Sequence, residues 1–458
     1  MTDEARPETT LHFRHALLPG GWAGQVRIGI ADGRIVTLAE GVEAEADDAR
    51  HAVGLPGMPN LHSHAFQRGM AGLAEVRGPG GDSFWTWRDI MYRFVDRIDP
   101  DGLRAIAALA YVEMLESGFT RVGEFHYLHR APGGDAYADP AEMTRAIVAA
   151  AADTGIALTH LPVFYAHAGF GGTPPNPGQR RFVHDLDGFA RLLDAARAAA
   201  ADLPDAIVGV APHSLRAVTE DELGALAGLA GGSPIHIHIA EQVKEVEDCL
   251  AWSGQRPVEW LLGHAAVDPR WCLVHATHMT EAETRALAAS GAVAGLCPVT
   301  EANLGDGLFP AEAFLAAGGR FGVGSDSNVL IDMSEELRWF EYGQRLFARG
   351  RNILAPGAGR STGQALFDGA LTGGAQALGV AAGLAVGHAA DMVSLDIRHP
   401  SLGGRSGAAL IDSFLFAAGR GAIDCVWRRG AEVVRGGRHV ARDRIAADYR
   451  RALEPLVA

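Results

Sequence analysis

The chain of 458 residues is almost without lysine: Lys244 stands alone among 40 basic residues, and the rest are arginine. Those arginines form no basic block, and the formal charge is −15. Nucleic acid and anionic membrane surfaces are therefore poor partner candidates. Cysteine is scarce too. Cys249, Cys272, Cys297 and Cys425 stand far apart and make no Cys-x-x-Cys pair. This argues against a disulfide frame or a thiolate metal site, and for packed thiols in a reducing compartment. No run reaches the ~18 apolar residues of a membrane span. The polar start Met-Thr-Asp-Glu-Ala-Arg lacks the apolar centre of a signal peptide. The expected location is the cytoplasm. Hydrophobic residues at 48% against 21% charged fit a soluble enzyme with a large core.

What is present begins with Leu55-Pro-Gly-Met-Pro-Asn-Leu-His62-Ser-His64. An apolar segment ends in two histidines one residue apart. In a strand, residues i and i+2 face the same side, so both imidazoles can reach one point. Neutral imidazole suits a borderline divalent ion such as zinc. Alternating histidines also occur as ordinary polar strand residues, so the pair needs partners.

The middle of the chain alternates strands and helices. Eight segments read as strands: Gly57–His64, Arg121–Phe125, Ala157–Phe164, Ile207–Pro212, Ile235–Ala240, Trp271–His275, Val293–Cys297 and Arg320–Gly324. Between them lie Ala- and Leu-rich helical stretches such as Asp101–Ser117, Asp139–Thr154 and Thr280–Ser290, with polar caps before and glycine after. This pattern predicts an α/β fold, a (β/α)8 barrel over 57–380. A doubly wound open sheet is the competitor, but no Gly-x-Gly-x-x-Gly follows the first strand. Residues 1–56 and 381–458 read as short strands with turns, including an Asp32-Gly33 hairpin. Together they predict a small β-sandwich built from both termini. Two long loops, Phe66 to about Pro100 and Gly169–Arg181, stand where barrels usually grip substrate.

Polar groups cluster at the C-terminal strand ends: His62 and His64 on strand one, His213 and Arg216 after strand four, and His238 and Glu241 on strand five. Strand six adds His275 and His278, and strand eight Ser325-Asp326. In a parallel barrel these ends surround one mouth. The pattern resembles the amidohydrolase superfamily of metal-dependent hydrolases, in His62-x-His64, the strand-five histidine, His275 and Asp326, and in the flanking Leu55-Pro-Gly-Met-Pro-Asn and Gly387-His-Ala-Ala-Asp-Met-Val-Ser-Leu-Asp396. The resemblance implies a bridging lysine on strand four in two-metal members, and Lys244 lies beyond strand five. One metal ion is therefore expected, held by His62, His64, His238 and Asp326, with zinc as default and iron, manganese or cobalt compatible. His236 shares a face with His238. The choice falls on His238, which is nearer the mouth and forms His238-x-x-Glu241, similar to the strand-five motif of the superfamily's deaminases. His236, His278 and His160 read as structural.

The Glu241 element points to hydrolysis of an amidine-like C=N carbon with loss of ammonia. In this reading Asp326 accepts a proton from water, His275 orients the nucleophile and stabilises the tetrahedral intermediate, and Glu241 carries a proton to the departing nitrogen. Arg88 and Arg216 at the mouth suggest a dicarboxylate substrate. Leu61-His-Ser-His-Ala-Phe-Gln-Arg-Gly-Met-Ala-Gly, Phe84-Trp-Thr-Trp-Arg, Gly123-Glu-Phe-His-Tyr127 and Ala211-Pro-His-Ser-Leu-Arg are together similar to the formimidoylglutamate deiminases. That likeness implies N-formimidoyl-L-glutamate as substrate, with Gln67, Tyr127 and His213 adding hydrogen bonds, in histidine degradation. A homodimer is expected on the separate ground that large barrels of this kind often form one. A nucleobase or other heterocycle deaminase is the alternative, kept open by Trp85 and Trp87.

Overall fold

A computed structural model describes residues 8–77 and 84–457. The polar start 1–6 and residues 78–83 of the long first loop lie outside the described residues.

The first four strands are β1 (Thr9–Leu18), β2 (Gly21–Ala31), β3 (Arg34–Ala39) and β4 (Ala49–Pro56). The barrel follows with β5 (Met58–Ser63), β6 (Phe119–His126), β7 (Ala157–Phe164), β8 (Ile207–Val208), β9 (Ala211–Pro212), β10 (Ile235–Ile239), β11 (Trp271–His275), β12 (Val293–Leu296) and β13 (Arg320–Val323). The last strands are β14 (Met392–Leu395), β15 (Ile423–Arg428), β16 (Ala431–Arg435) and β17 (Arg438–His439).

The terminal strands form one sheet, ordered β17-β16-β15-β14-β4-β1-β2-β3. Its two halves meet where β14 runs antiparallel to β4, with Met392 opposite Pro56 and Leu395 opposite Val53. Strand β4 is hard to find in sequence because Arg50 and His51 break its pattern, yet Val53 and Leu55 are buried. Asp32 and Gly33 both adopt positive φ, 51° and 75°, as a two-residue hairpin turn requires. The sheet curls on itself, so Phe13 of β1 meets the Trp427 ring of β15 edge-on at 6.2 Å around a core that includes Leu11, Ile28 and Met392.

The barrel strands pair in parallel as β5-β6-β7-β8 and β10-β11-β12-β13. Bridges between Val210 and Ile235, and between Ser63 and Asp326, close the ring. The fourth strand is broken into β8 and β9 rather than continuous. Pro212 removes one ladder donor, and pairing between the pieces passes through Gly209 N to His160 O at 2.9 Å and Val210 N to Pro234 O at 3.0 Å. Surrounding helices begin at built caps: Asp99 accepts from Gly102 N, and Thr219 and Thr280 form capping boxes with Glu222 and Glu283. The long first loop contains a helix, Phe84–Val95. The final helix, Arg442–Val457, lies on the barrel helix Pro100–Glu116, where Arg442 pairs with Glu113 at 3.3 Å and Glu116 at 3.0 Å. Among the described residues no helix is long and apolar enough to cross a membrane.

Candidate active site

The ends of β5, β10 and β11 and the turn after β13 converge on one point. His62 Nε2 lies 3.2 Å from His64 Nε2 and 3.0 Å from His238 Nε2. Asp326 Oδ1 sits 3.6 Å from His62 Nε2 and 3.3 Å from His64 Nε2. Backbone carbonyls set the tautomers. His64 Nδ1 faces Phe125 O at 2.9 Å, and His238 Nδ1 faces His213 O at 3.1 Å. Both Nδ1 atoms must donate, so both Nε2 atoms present lone pairs to the common centre. Lone pairs packed this closely repel unless a cation lies among them, and the donor set fits a divalent ion. Burial drives the His62 imidazole down to about 3 and lowers His64 and His238, so all three stay neutral. Burial opposes ionisation of Asp326, but His62, His64 and His275 hold its carboxyl below the usual range. Three neutral imidazoles and one carboxylate remain.

A second cluster brings ligand atoms of His275, Cys297 and Asp326 within 4.8 Å of one another. Burial raises the Cys297 thiol well above its normal range, which leaves it protonated and a poor ligand. Lys244 is no part of either cluster: it is exposed and pairs with Asp248 at 2.7 Å.

His275 Nε2 is 3.8 Å from Asp326 Oδ2 and 3.9 Å from Glu241 Oε1. Its Nδ1 contacts Glu301 Oε1 at 3.2 Å. Burial works against a charged ring, yet Glu241, Glu301 and Asp326 raise it to about 10. Burial pushes Glu241 up to about 7, where a carboxyl can both take and give a proton near neutrality. The backbone is strained here. Ala240, His275, Ala276, Asp326 and Asn328 all have φ between 43° and 69°, a left-handed geometry that costs about 1–3 kcal/mol per residue and gathers at functional sites.

These groups open into a cavity lined also by Gln67, Arg88, Tyr127, His213 and Arg216. Every residue given a catalytic, metal-binding or substrate-binding role from sequence lines it except His62, which is buried; of the two tryptophans, Trp87 lines it and Trp85 does not. Gln67 donates to Tyr127 OH at 2.9 Å, and its own carbonyl is buried without a partner among the described residues. Arg88 stacks on Trp85 at 4.4 Å. His236 faces Ala377 O at 2.8 Å and His160 faces Thr144 Oγ1 at 3.1 Å, both outside the cavity. The sequence reading passed over Tyr165 and Phe182 in the lining, and Glu245 and Glu301 behind it.

A family model for the amidohydrolase family matches residues 53–433. A second, described as the N-terminal domain of formimidoylglutamate deiminase HutF, matches residues 8–52. The chain is 52% identical to a formimidoylglutamate deiminase of Pseudomonas aeruginosa over 98% of this chain and 100% of that one. It is 30% identical to an 8-oxoguanine deaminase of the same organism over 69% and 71% of the two chains. Among solved structures, an amidohydrolase from Brucella melitensis superposes with a TM-score of 0.96 at 56% identity, covering 98% of this chain and 100% of that one. A zinc-bound adenosine deaminase from Xanthomonas campestris shares the fold, with a TM-score of 0.80 at 22% identity over 98% and 99%. The chain belongs to the amidohydrolase family and, within it, to the formimidoylglutamate deiminases.

Proposed function

We infer that the protein hydrolyses N-formimidoyl-L-glutamate to N-formyl-L-glutamate and ammonia, a step of histidine degradation. The observation that carries this reading is one cavity holding Arg88 and Arg216 together with Glu241, His275 and Asp326. Guanidinium forks match the two carboxylates of such a substrate, and the acid/base groups match its amidine.

His62, His64, His238 and Asp326 would hold one divalent ion, zinc by default. A cation bound there supplies the acidity that makes water a nucleophile near neutral pH. Asp326, held anionic, takes a proton from that water as its oxygen bonds to the amidine carbon. His275, held cationic by its carboxylate neighbours, faces the negative charge that develops there. Glu241 gives one proton to the imino nitrogen and Asp326 passes on the proton it took; the C–N bond breaks, ammonia leaves, and the hydroxyl proton returns to Glu241 as the carbonyl forms. Gln67, Tyr127 and His213 would fix the glutamyl portion.

We place this chemistry in residues 57–380, with 1–56 and 381–458 as the flanking β-domain, in a cytoplasmic homodimer. The four cysteines are free and buried, as suits a reducing compartment.

The second reading is a heterocycle deaminase, favoured by Phe84, Trp87 and Phe182 in the lining. Ammonia release from N-formimidoyl-L-glutamate, guanine, cytosine and a simple amide separates the two. Turnover of the first alone supports the deiminase, and turnover of a nucleobase alone supports its rival. Elemental analysis should find one metal per chain, and a value near two would refute the single-ion site.

A further inference from the structure

Behind the cavity-facing Arg216 sits a carboxylate with two uses. Glu245, in the first turn of the helix Val243–Ser253, is 1% exposed. Its Oε2 accepts the Glu241 amide at 3.1 Å. Its Oε1 lies 4.0 Å from Arg216 Nε. Among the described residues neither Arg216 Nε nor Glu245 Oε1 has a hydrogen-bond partner, although both atoms are buried. A buried guanidinium needs a counter-charge, because an unpaired one bears the full desolvation penalty. Two carboxylates are near enough to provide it, Glu245 foremost and Glu241 after it. Only Glu245 can do so without occupying the acid/base group. With its Nε edge drawn toward Glu245, Arg216 keeps its terminal nitrogens for a carboxylate in the cavity.

We propose that Glu245 is a positioning residue: its side chain orients Arg216 for the substrate carboxylate, holds it away from Glu241, and ties that arginine to the Glu241 backbone. The proposal rests on Arg216 being the substrate clamp. Glu245 lies four residues after Glu241, so one turn of backbone carries both the acid/base group and the support of the binding group.

Steady-state ammonia release by the metal-loaded enzyme from N-formimidoyl-L-glutamate tests it. Glu245→Gln keeps an oxygen for the Glu241 amide and loses the charge facing Arg216. KM should rise about tenfold while kcat stays within about threefold. Glu245→Asp retains the charge and should recover most of that KM. In an Arg216→Gln background the Glu245→Gln change should add no further KM effect, whereas a purely structural role would add its full cost again. An Arg216→Gln enzyme with unchanged KM overturns the clamp and the coupling with it. A raised KM in Arg216→Gln beside an unaltered KM in Glu245→Gln overturns the role of Glu245 alone. An equal rise in Glu245→Asp and Glu245→Gln also overturns it, since shape rather than charge would then be responsible.

Discussion

Asp326 closes the barrel onto His62 with its backbone and meets the same residue again with its side chain. Its amide donates to the His62 carbonyl at 3.0 Å, and its carboxylate oxygen lies 3.6 Å from His62 Nε2. His64 N returns a bond to the Asp326 carbonyl at 2.9 Å. The seam is braced from behind. Asn60 and Ser325 exchange bonds at 2.7 and 3.1 Å, and Asn328 Nδ2 donates to the His64 carbonyl at 3.0 Å. The ligand geometry is thus a consequence of the strand register across this seam, which explains how left-handed backbone at Asp326 is tolerated.

Gly324 is where that seam is most sensitive. A Cβ there would fall 2.6 Å from the His62 carbonyl oxygen and 2.8 Å from its nitrogen, and backbone cannot swing aside as a side chain can. Gly324→Ala should cost about 1–3 kcal/mol of stability and weaken metal binding about tenfold or more by parting β5 from the Asp326 turn. Thermal melts and zinc titration of the apo-protein check this. Wild-type metal affinity would show that the register does not set the ligand geometry.

Glu241→Gln removes the proton carrier without touching the three imidazoles. The variant should fold, retain its metal and lose about 10²–10⁴-fold in kcat. Elemental analysis and ammonia release on the same sample decide it, and near-normal turnover would refute the role.

Glu301 has a different signature. Its Oε1 contacts His275 Nδ1 at 3.2 Å and also accepts Cys297 N at 3.0 Å. Glu301→Gln can keep the backbone bond while losing the charge that helps raise the ring to about 10. A group with a raised value is charged below it and loses its charge as pH climbs through it. The alkaline limb of kcat should therefore move to lower pH, with kcat down about 10–100-fold and metal content unchanged. A pH–rate profile identical to wild type would refute the pairing.

The parts of the site legible in sequence were those whose spacing has a geometric meaning. His62-x-His64 reads because strand residues alternate faces, and Glu241 reads because it ends a histidine-bearing strand. Glu245 and Glu301 did not, because an acid in the first turn of a helix is also what the helix dipole favours on a solvated face. The one available signal was the four-residue step from Glu241 to Glu245. Tyr165, just past the end of β7, and Phe182, in the loop that follows, were invisible for another reason: a lone aromatic packs into core far more often than it lines a cavity. Likewise β4 was hidden by Arg50 and His51, whereas the barrel strands, buried on both faces, stood out as apolar runs.

Acid should destabilise the fold through histidines remote from the chemistry. Burial lowers His160 to about 3 and His236 to about 4, and each is held by one internal partner, Thr144 Oγ1 and the Ala377 carbonyl. The unfolded chain protonates both near their ordinary value, 6.5, while the folded protein resists until far lower pH. Between those limits the unfolded state binds more protons. Stability is therefore complete above pH ~6.5 and falls as pH drops, by up to about 1.4 kcal/mol per pH unit for each group. Glutamine can reproduce the Nε2 contact of either ring without titrating. His160→Gln/His236→Gln should start less stable at pH 7.5, from imperfect filling of the two sites, yet lose less on going to pH 4. Melting temperatures of the apo-proteins from pH 7.5 to 4 read the difference, with metal excluded so that ligand protonation adds nothing through ion release. Parallel curves for the two proteins would place the acid sensitivity elsewhere, in His62, His64 and His238 of the emptied site or in His126, His129, His184 and His213, whose rings burial also lowers.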